Sequence, residues 1–260
     1  MPGSEGDSVE QRPSQGILYI AAGAKYIRAA MRSAESVRRH CDGLSTHLFA
    51  DWRNHREFDF DRDPSPFVST AMINDGHRRS KVDYLARTPF DHTLYLDTDT
   101  LINADIREMF RVLERFDLAV NHAHRRNDRT RLGKWRMDLP HAFPQLNGGV
   151  LLYRRTPPVI EFLEQWKHDF HEAGLQQDQM TLRESLWLSD LRLAILPPEY
   201  NVRYIKYHFI WSRAEARTKI FHLQRLHSGW FWWVAKPWQR RAIKVLRRLG
   251  FHPPEAWYRR

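Results

Sequence analysis

Cysteine is nearly absent. Cys41 is the only one in 260 residues, so neither an intrachain disulfide nor a thiolate zinc cluster can form. Long apolar runs are missing as well: no stretch of about 18 apolar residues offers a membrane span. The opening MPGSEGDSVEQRPSQG has neither the basic nor the apolar region of a signal peptide. These absences lead us to expect a cytosolic protein. No internal repeat is evident, which argues against a repeat architecture. What the chain has in excess is positive charge, with 41 Lys and Arg against 31 Asp and Glu, a net charge of +10 and a pI near 9.9. Such a balance invites polyanions: nucleic acid, anionic lipid or a phosphorylated substrate. A hydrophobic content of 42% over this length suffices to bury the core of one main domain.

Residues 1–15, rich in Gly, Ser, Pro, Glu and Gln, read as a disordered leader. After them strands and helices alternate. GILYIAA (16–22) is a short β-rich run, and the following KYIRAAMRSAESVRRH (25–40) spaces Ile27, Ala30, Met31, Ala34 and Val37 at helical intervals. STHLFAD (45–51) reads as a strand and DFDRDPSP (59–66) as a loop. A helical pattern over 80–87 leads into the strand HTLYLD (92–97). The strand-like segments 117–120, 145–153 and 191–197 surround helical patterns at 158–170 and 177–187. This alternation predicts an α/β sandwich on a Rossmann-like, largely parallel sheet.

The last quarter differs in character. HSGWFWWVAKPW (227–238) clusters tryptophans, and a helical wheel drawn from Trp238 into the tail 239–260 places Trp238, Ala242, Ile243, Val245, Leu246 and Leu249 on one side and Arg240, Arg241, Lys244, Arg247 and Arg248 on the other. Two readings remain open for this segment. It is a helix packed on the domain with a solvated basic face, or an interfacial helix with its apolar face in a lipid headgroup region, its cations on anionic lipid, and Trp230, Trp232, Trp233 and Trp238 as anchors.

In the stretch TLYLDTDTLIN (93–103) a buried strand ends on two aspartates. Side chains two apart on an extended chain project to one side, so Asp97 and Asp99 can present hard oxygen ligands from a rigid backbone. They sit at the carboxyl end of a strand, where open α/β sheets bind ligands. Taken alone the pair fits at least as well a strand end with one helix-capping and one solvated aspartate.

The ordered set GILYIAAGAKYIRAAMRSAESVRRH, SKVDYLARTPFDHTLYLDTDTLINADIREMF, LNGGVLLYRR, QQDQMTL, LPPEYN and IFHL followed by KPW resembles the retaining sugar-nucleotide transferases of glycosyltransferase family 8, over about residues 16–238. The resemblance implies a GT-A fold with a mixed sheet sandwiched by helices, a nucleotide-sugar donor, and Mn²⁺, or alternatively Mg²⁺, held by Asp97, Asp99 and His222. His227 competes for the third position, because the interval from histidine to KPW is longer here than in the family. The resemblance further implies that Lys81 contacts the donor, as does Thr98 between the two aspartates. Asn147 and Gly148 would border the sugar, and Asp178 and Gln179 would face the reacting carbon. Lys236 would neutralise the leaving diphosphate. Ala21, Ala22 and Tyr26 fit a base-lining loop, whereas Gly23 stands where the family commonly places a polar reader of uracil.

The implied reaction is metal-dependent transfer of a hexose, UDP-linked, to an acceptor hydroxyl with retention. A basic aromatic C-terminal segment also occurs in bacterial members of the family, and it would suit a glycan acceptor that is lipid-linked, or a lipopolysaccharide, met at the inner face of a membrane. Three other readings are an inverting GT-A transferase with Asp178 as general base, a sugar-nucleotide-binding module without turnover, and a nucleic-acid-binding protein. Against the last, the basic residues concentrate in the tail and do not alternate with aromatics on a sheet face, so no nucleic-acid partner is expected.

Overall fold

The computed structural model describes residues 13–74, 76–77, 79–125, 134–228, 245 and 248–250. In chain order the elements are β1 (Gln15–Ala21), α1 (Ala24–His40), β2 (Ser45–Ala50), β3 (Ser69–Met72), α2 (Lys81–Tyr84), β4 (His92–Leu96), β5 (Thr100–Ile102), β6 (Leu118–His122), β7 (Leu146–Arg154), α3 (Pro157–Ala173), α4 (Gln179–Leu188), β8 (Leu193–Ile195), α5 (Ile205–Ile210) and β9 (Ile220–His222). The main sheet runs β3-β2-β1-β4-β7-β6-β8.

The near-continuous apolar run of β1 suits a strand covered on both faces. Its alternate residues enter two different cores. Ile17 and Tyr19 join Leu94 and Leu96 of β4 beneath α1, while Leu18 and Ile20 join Tyr95, Leu151 and Trp166 beneath α3. Pro residues open α3, and Gly174, at φ 59°, closes it in the left-handed conformation.

The sheet is largely parallel and is mixed through a single strand, β7: β8 runs parallel to β6, and β6 shares the direction of β4. Strands β3, β2, β1 and β4 run parallel, but β7 is antiparallel to both β4 and β6. A second, two-stranded sheet pairs β5 with β9, with Thr100 opposite His222 and Ile102 opposite Ile220. Because only three residues separate β4 from β5, this small sheet brings the chain near residue 222 to the carboxyl end of the central strand. The leader residues 1–12, Lys236, the four tryptophans and most of the tail lie outside the described residues.

Candidate active site

Between β4 and β5 the chain makes a tight turn through Asp97, Thr98 and Asp99. Backbone bonds pin it on three sides: the Asp97 N–H donates to the Gly149 carbonyl at 2.8 Å, the Thr100 N–H to the Asp97 carbonyl at 3.2 Å, and the Leu223 N–H to the Asp99 carbonyl at 2.9 Å. A chain of buried hydroxyls holds it from below. Thr100 Oγ1 donates to the Asp97 carbonyl at 2.8 Å; Ser33 Oγ lies 2.8 Å from Thr100 Oγ1, and the Tyr19 hydroxyl 2.9 Å from Ser33. Since Thr100 spends its proton on the carbonyl, Ser33 donates to Thr100 and Tyr19 to Ser33.

The β5–β9 pairing sets His222 against this turn. Its Nε2 lies 3.1 Å from Asp99 Oδ1 and 3.3 Å from Asp97 Oδ2. One ligand atom from each of the three residues falls within 4.8 Å of the others. Asp99 and His222 are buried. The aspartates are thus part of the cleft floor and are not the solvated strand end that D-x-D alone would allow. His227 stands farther off, its Nε2 4.0 Å from Asp99 Oδ1 and hydrogen-bonded to Thr98 Oγ1 at 2.9 Å.

Lys81 opens α2 and is buried. Its Nζ lies 2.7 Å from Asp178 Oδ2 and 3.6 Å from Asp97 Oδ1, and donates to the Gly148 carbonyl at 3.3 Å. Burial works against its charge, but the carboxylates of Asp178 and Asp97 outweigh that and raise its pKa. Burial would likewise raise the Asp97 carboxyl. Lys81 and the Tyr95 hydroxyl, which donates to Asp97 at 2.8 Å, prevail and hold it below the usual carboxylate range. Asp178 precedes α4 without capping it; its other oxygen faces Arg79 at 3.4 Å.

These groups line one cleft of about 290 Å³, together with Ala22, Tyr26, Thr98, Asn147 and Gln179. Three expected donor contacts do not line it. Ala21 is packed in the core beneath α1. Gly23, at φ 98°, makes the turn from β1 to α1 and donates its N–H to Asp51 Oδ1 at 2.7 Å. Gly148 faces Leu182, which a Cβ there would meet at 3.2 Å. The cleft also holds residues that the sequence did not single out: Tyr95, Gly149, Arg79 and Arg203. Asn201 was visible within LPPEYN but had no role assigned; it hydrogen-bonds His222 Nδ1 at 2.8 Å and Asn147 Oδ1 at 3.2 Å.

No protein-family model matches the sequence, and no curated protein sequence does. Solved structures match the fold. The glycosyltransferase GlyE of Streptococcus pneumoniae TIGR4 aligns over 93% of this chain at 18% identity and a TM-score of 0.54; the chain spans 66% of GlyE, just under two thirds. The galactosyltransferase LgtC, solved with donor and acceptor sugar analogs, aligns over 93% of this chain and 98% of its own at 16% identity and a TM-score of 0.55. Mouse xyloside xylosyltransferase 1 covers 80% of this chain and 97% of its own at 14% identity and a TM-score of 0.52. The fold is therefore that of the GT-A glycosyltransferases.

Proposed function

We propose that a chain with the GT-A fold and this cleft is a metal-dependent glycosyltransferase, moving a hexose from a UDP-sugar to an acceptor hydroxyl with retention at the anomeric carbon. The observation that carries the reading is the convergence of Asp97, Asp99 and His222 at the carboxyl end of β4, within 4.8 Å of one another. The residues fit a divalent cation. His222 Nε2 is buried, has no hydrogen-bond partner and faces two carboxylate oxygens. Two hard oxygens beside one imidazole suit Mn²⁺, with Mg²⁺ the second candidate. A cation held there supplies charge stabilisation to the departing diphosphate.

The chain's own groups divide the remaining work. Ala22 and Tyr26 line the base end of the cleft, and Thr98 and Asn147 border the donor. Lys81 fixes Asp178 and Asp97 relative to each other, so that Asp178 and Gln179 present a carboxylate and an amide to the sugar as positive charge develops at C1. Lys236, outside the described residues, is proposed to meet the leaving phosphate. Asp178, 2.7 Å from Lys81 and 3.4 Å from Arg79, is clamped by two cations. A carboxylate so held is not free to act as base or nucleophile. That favours same-face attack, in which the acceptor oxygen bonds to C1 as the C1–phosphate bond breaks and a phosphate oxygen takes the acceptor proton.

The acceptor is proposed to be a glycan carried on lipid, with the basic tail resting on an anionic membrane. No described helix is long and apolar enough to cross a membrane. Val245 and Leu249, the described apolar residues of the tail, are exposed, which favours an unpacked apolar face.

Hydrolysis of a panel of UDP- and GDP-sugars with Mn²⁺ tests the reading without an acceptor. We expect turnover of a UDP-hexose, lost on chelation and in Asp97→Asn and Asp99→Asn. Hydrolysis indifferent to chelation would sink the metal assignment, and an inverted product anomer the retention. Truncation before Gln239 is expected to abolish binding to anionic vesicles at low salt while sparing hydrolysis. A full-length chain that ignores such vesicles would refute the membrane role.

A further inference from the structure

We propose that Asn201, itself oriented by Asn147, is a positioning residue that locks His222 in one tautomer, with the proton on Nδ1 and the lone pair of Nε2 turned into the cation site. The inference rests on the metal-dependent reading above.

The direction of each bond follows from one donor that cannot be reversed. The Gly149 backbone N–H lies 3.0 Å from the Asn147 side chain, so the Asn147 atom facing it is the oxygen. The same oxygen lies 3.2 Å from the Asn201 side chain, which must therefore turn its Nδ2 toward it. That leaves Asn201 Oδ1 for His222 Nδ1, 2.8 Å away. An amide oxygen only accepts, so Nδ1 carries the proton, and in the neutral ring Nε2 is a bare lone pair. Asn147, Asn201 and His222 are exposed by only 6%, 7% and 1%, so bulk water does not compete for these bonds.

The consequence appears at the other end of the ring. In the neutral ring so oriented, Nε2 faces Asp97 Oδ2 at 3.3 Å and Asp99 Oδ1 at 3.1 Å as a bare lone pair. Three electron-pair donors converge, an arrangement that is repulsive alone and relieved by a cation. The opposite tautomer would place a proton on Nε2, hydrogen-bond the carboxylates and close the site to metal. Asn201 decides between the two, as groups behind ligating histidines commonly do.

Nitrogen NMR on metal-free, full-length protein labelled at histidine gives the direct test, with the His222 signals identified by their loss in His222→Gln. We expect wild-type His222 protonated on Nδ1 and bare on Nε2. Asn201→Leu, similar in size but unable to accept, is expected to shift the population toward the Nε2 proton and to weaken Mn²⁺ binding in the presence of UDP by about 10–100-fold. Its unfolding midpoint should stay near that of wild type. Asn201→Asp supplies an acceptor for the Nδ1 proton, though it loses the donor to Asn147, and is expected to return the proton to Nδ1, which a purely space-filling role would not do. A wild-type ring protonated on Nε2 overturns the proposal whether or not the variants fold, and so does Asn201→Leu with affinity within about twofold of wild type. Wild-type protein that binds no Mn²⁺ would instead defeat the metal reading, leaving the tautomer to be judged by its own signals.

Discussion

Gly149 and His222 meet across the floor of the cleft: a Cβ on Gly149 would overlap His222 Cε1 and the Asp97 carboxylate, standing 2.9 Å from Asp97 Cγ. The neighbouring strand must be bare at this point for His222 and Asp97 to come together. Gly149→Ala is accordingly expected to displace one of them and to reduce Mn²⁺ affinity by at least about tenfold. Gly148→Ala, which meets a flexible Leu182 methyl at 3.2 Å, is expected to do far less. Calorimetric titration of both variants with UDP and Mn²⁺ checks the order.

The two candidate histidines are separable in the same experiment. His222 Nε2 approaches both aspartates, at 3.1 and 3.3 Å, whereas His227 reaches only Asp99, at 4.0 Å, and is already bonded to Thr98. We expect His222→Ala to weaken metal-dependent nucleotide binding by about 10–100-fold or more, and His227→Ala by much less. The reverse ranking would move the ligand to His227.

Lys81 offers a test that links stability to the cation. It is the buried counter-charge of Asp178 and Asp97, so Lys81→Met leaves two acidic groups short of a partner, a change that costs about 3–5 kcal/mol in comparable buried pairs. A cation beside Asp97 replaces part of the lost charge. Mn²⁺ is therefore expected to raise the unfolding midpoint of Lys81→Met by more than it raises that of wild type. Equal shifts would show that Lys81 and the metal do not share Asp97.

A pH dependence of folding follows from His47. In β2 its ring lies against Phe49, its Nδ1 is hydrogen-bonded to Ser69, its Nε2 has no partner, and burial pushes its pKa down from 6.5 to about 4. Above 6.5 the ring is neutral folded or unfolded and adds no pH dependence. Below that, the unfolded chain takes up a proton that the fold refuses, so stability falls as pH drops from 6.5 toward 4. His92, lowered chiefly by burial, acts in the same direction. His47→Phe is expected to flatten the decline without abolishing it, as followed by denaturant midpoints across that window.

Much of this was legible in the sequence where a segment was long or carried unusual residues. The apolar runs of β1, β4 and β7 and the helical spacing of α1 and α3 had enough length to show a period, and their order carried the resemblance. The strands β3, β5 and β9 are four, three and three residues long and leave none. Strand direction was equally hidden: nothing in LNGGVLLYR states that it runs antiparallel to HTLYL, because both are buried on two faces. At the site, the sequence offered the ligands but not what supports them. Gly148 and Gly149 are indistinguishable as letters, and only the approach of His222 shows which one must lack a side chain. Asn201 carried no chemical signature until its amide was seen between Asn147 and His222.

The pairing of β5 with β9 also sets the order of events when the chain is made. Asp97 and Asp99 emerge early in synthesis, together with the strand that carries them, and the histidine that joins them follows more than a hundred residues later. Until β9 arrives, β5 lacks the strand partner it has in the finished sheet, and the acidic turn can collect cations only as an open, solvated loop would. Under the proposed metal reading, tight capture therefore belongs to the chain that has formed β9. A nascent or C-terminally clipped polypeptide can present both aspartates and yet lack His222, so on that proposed reading holding the ion would report that the small second sheet has closed.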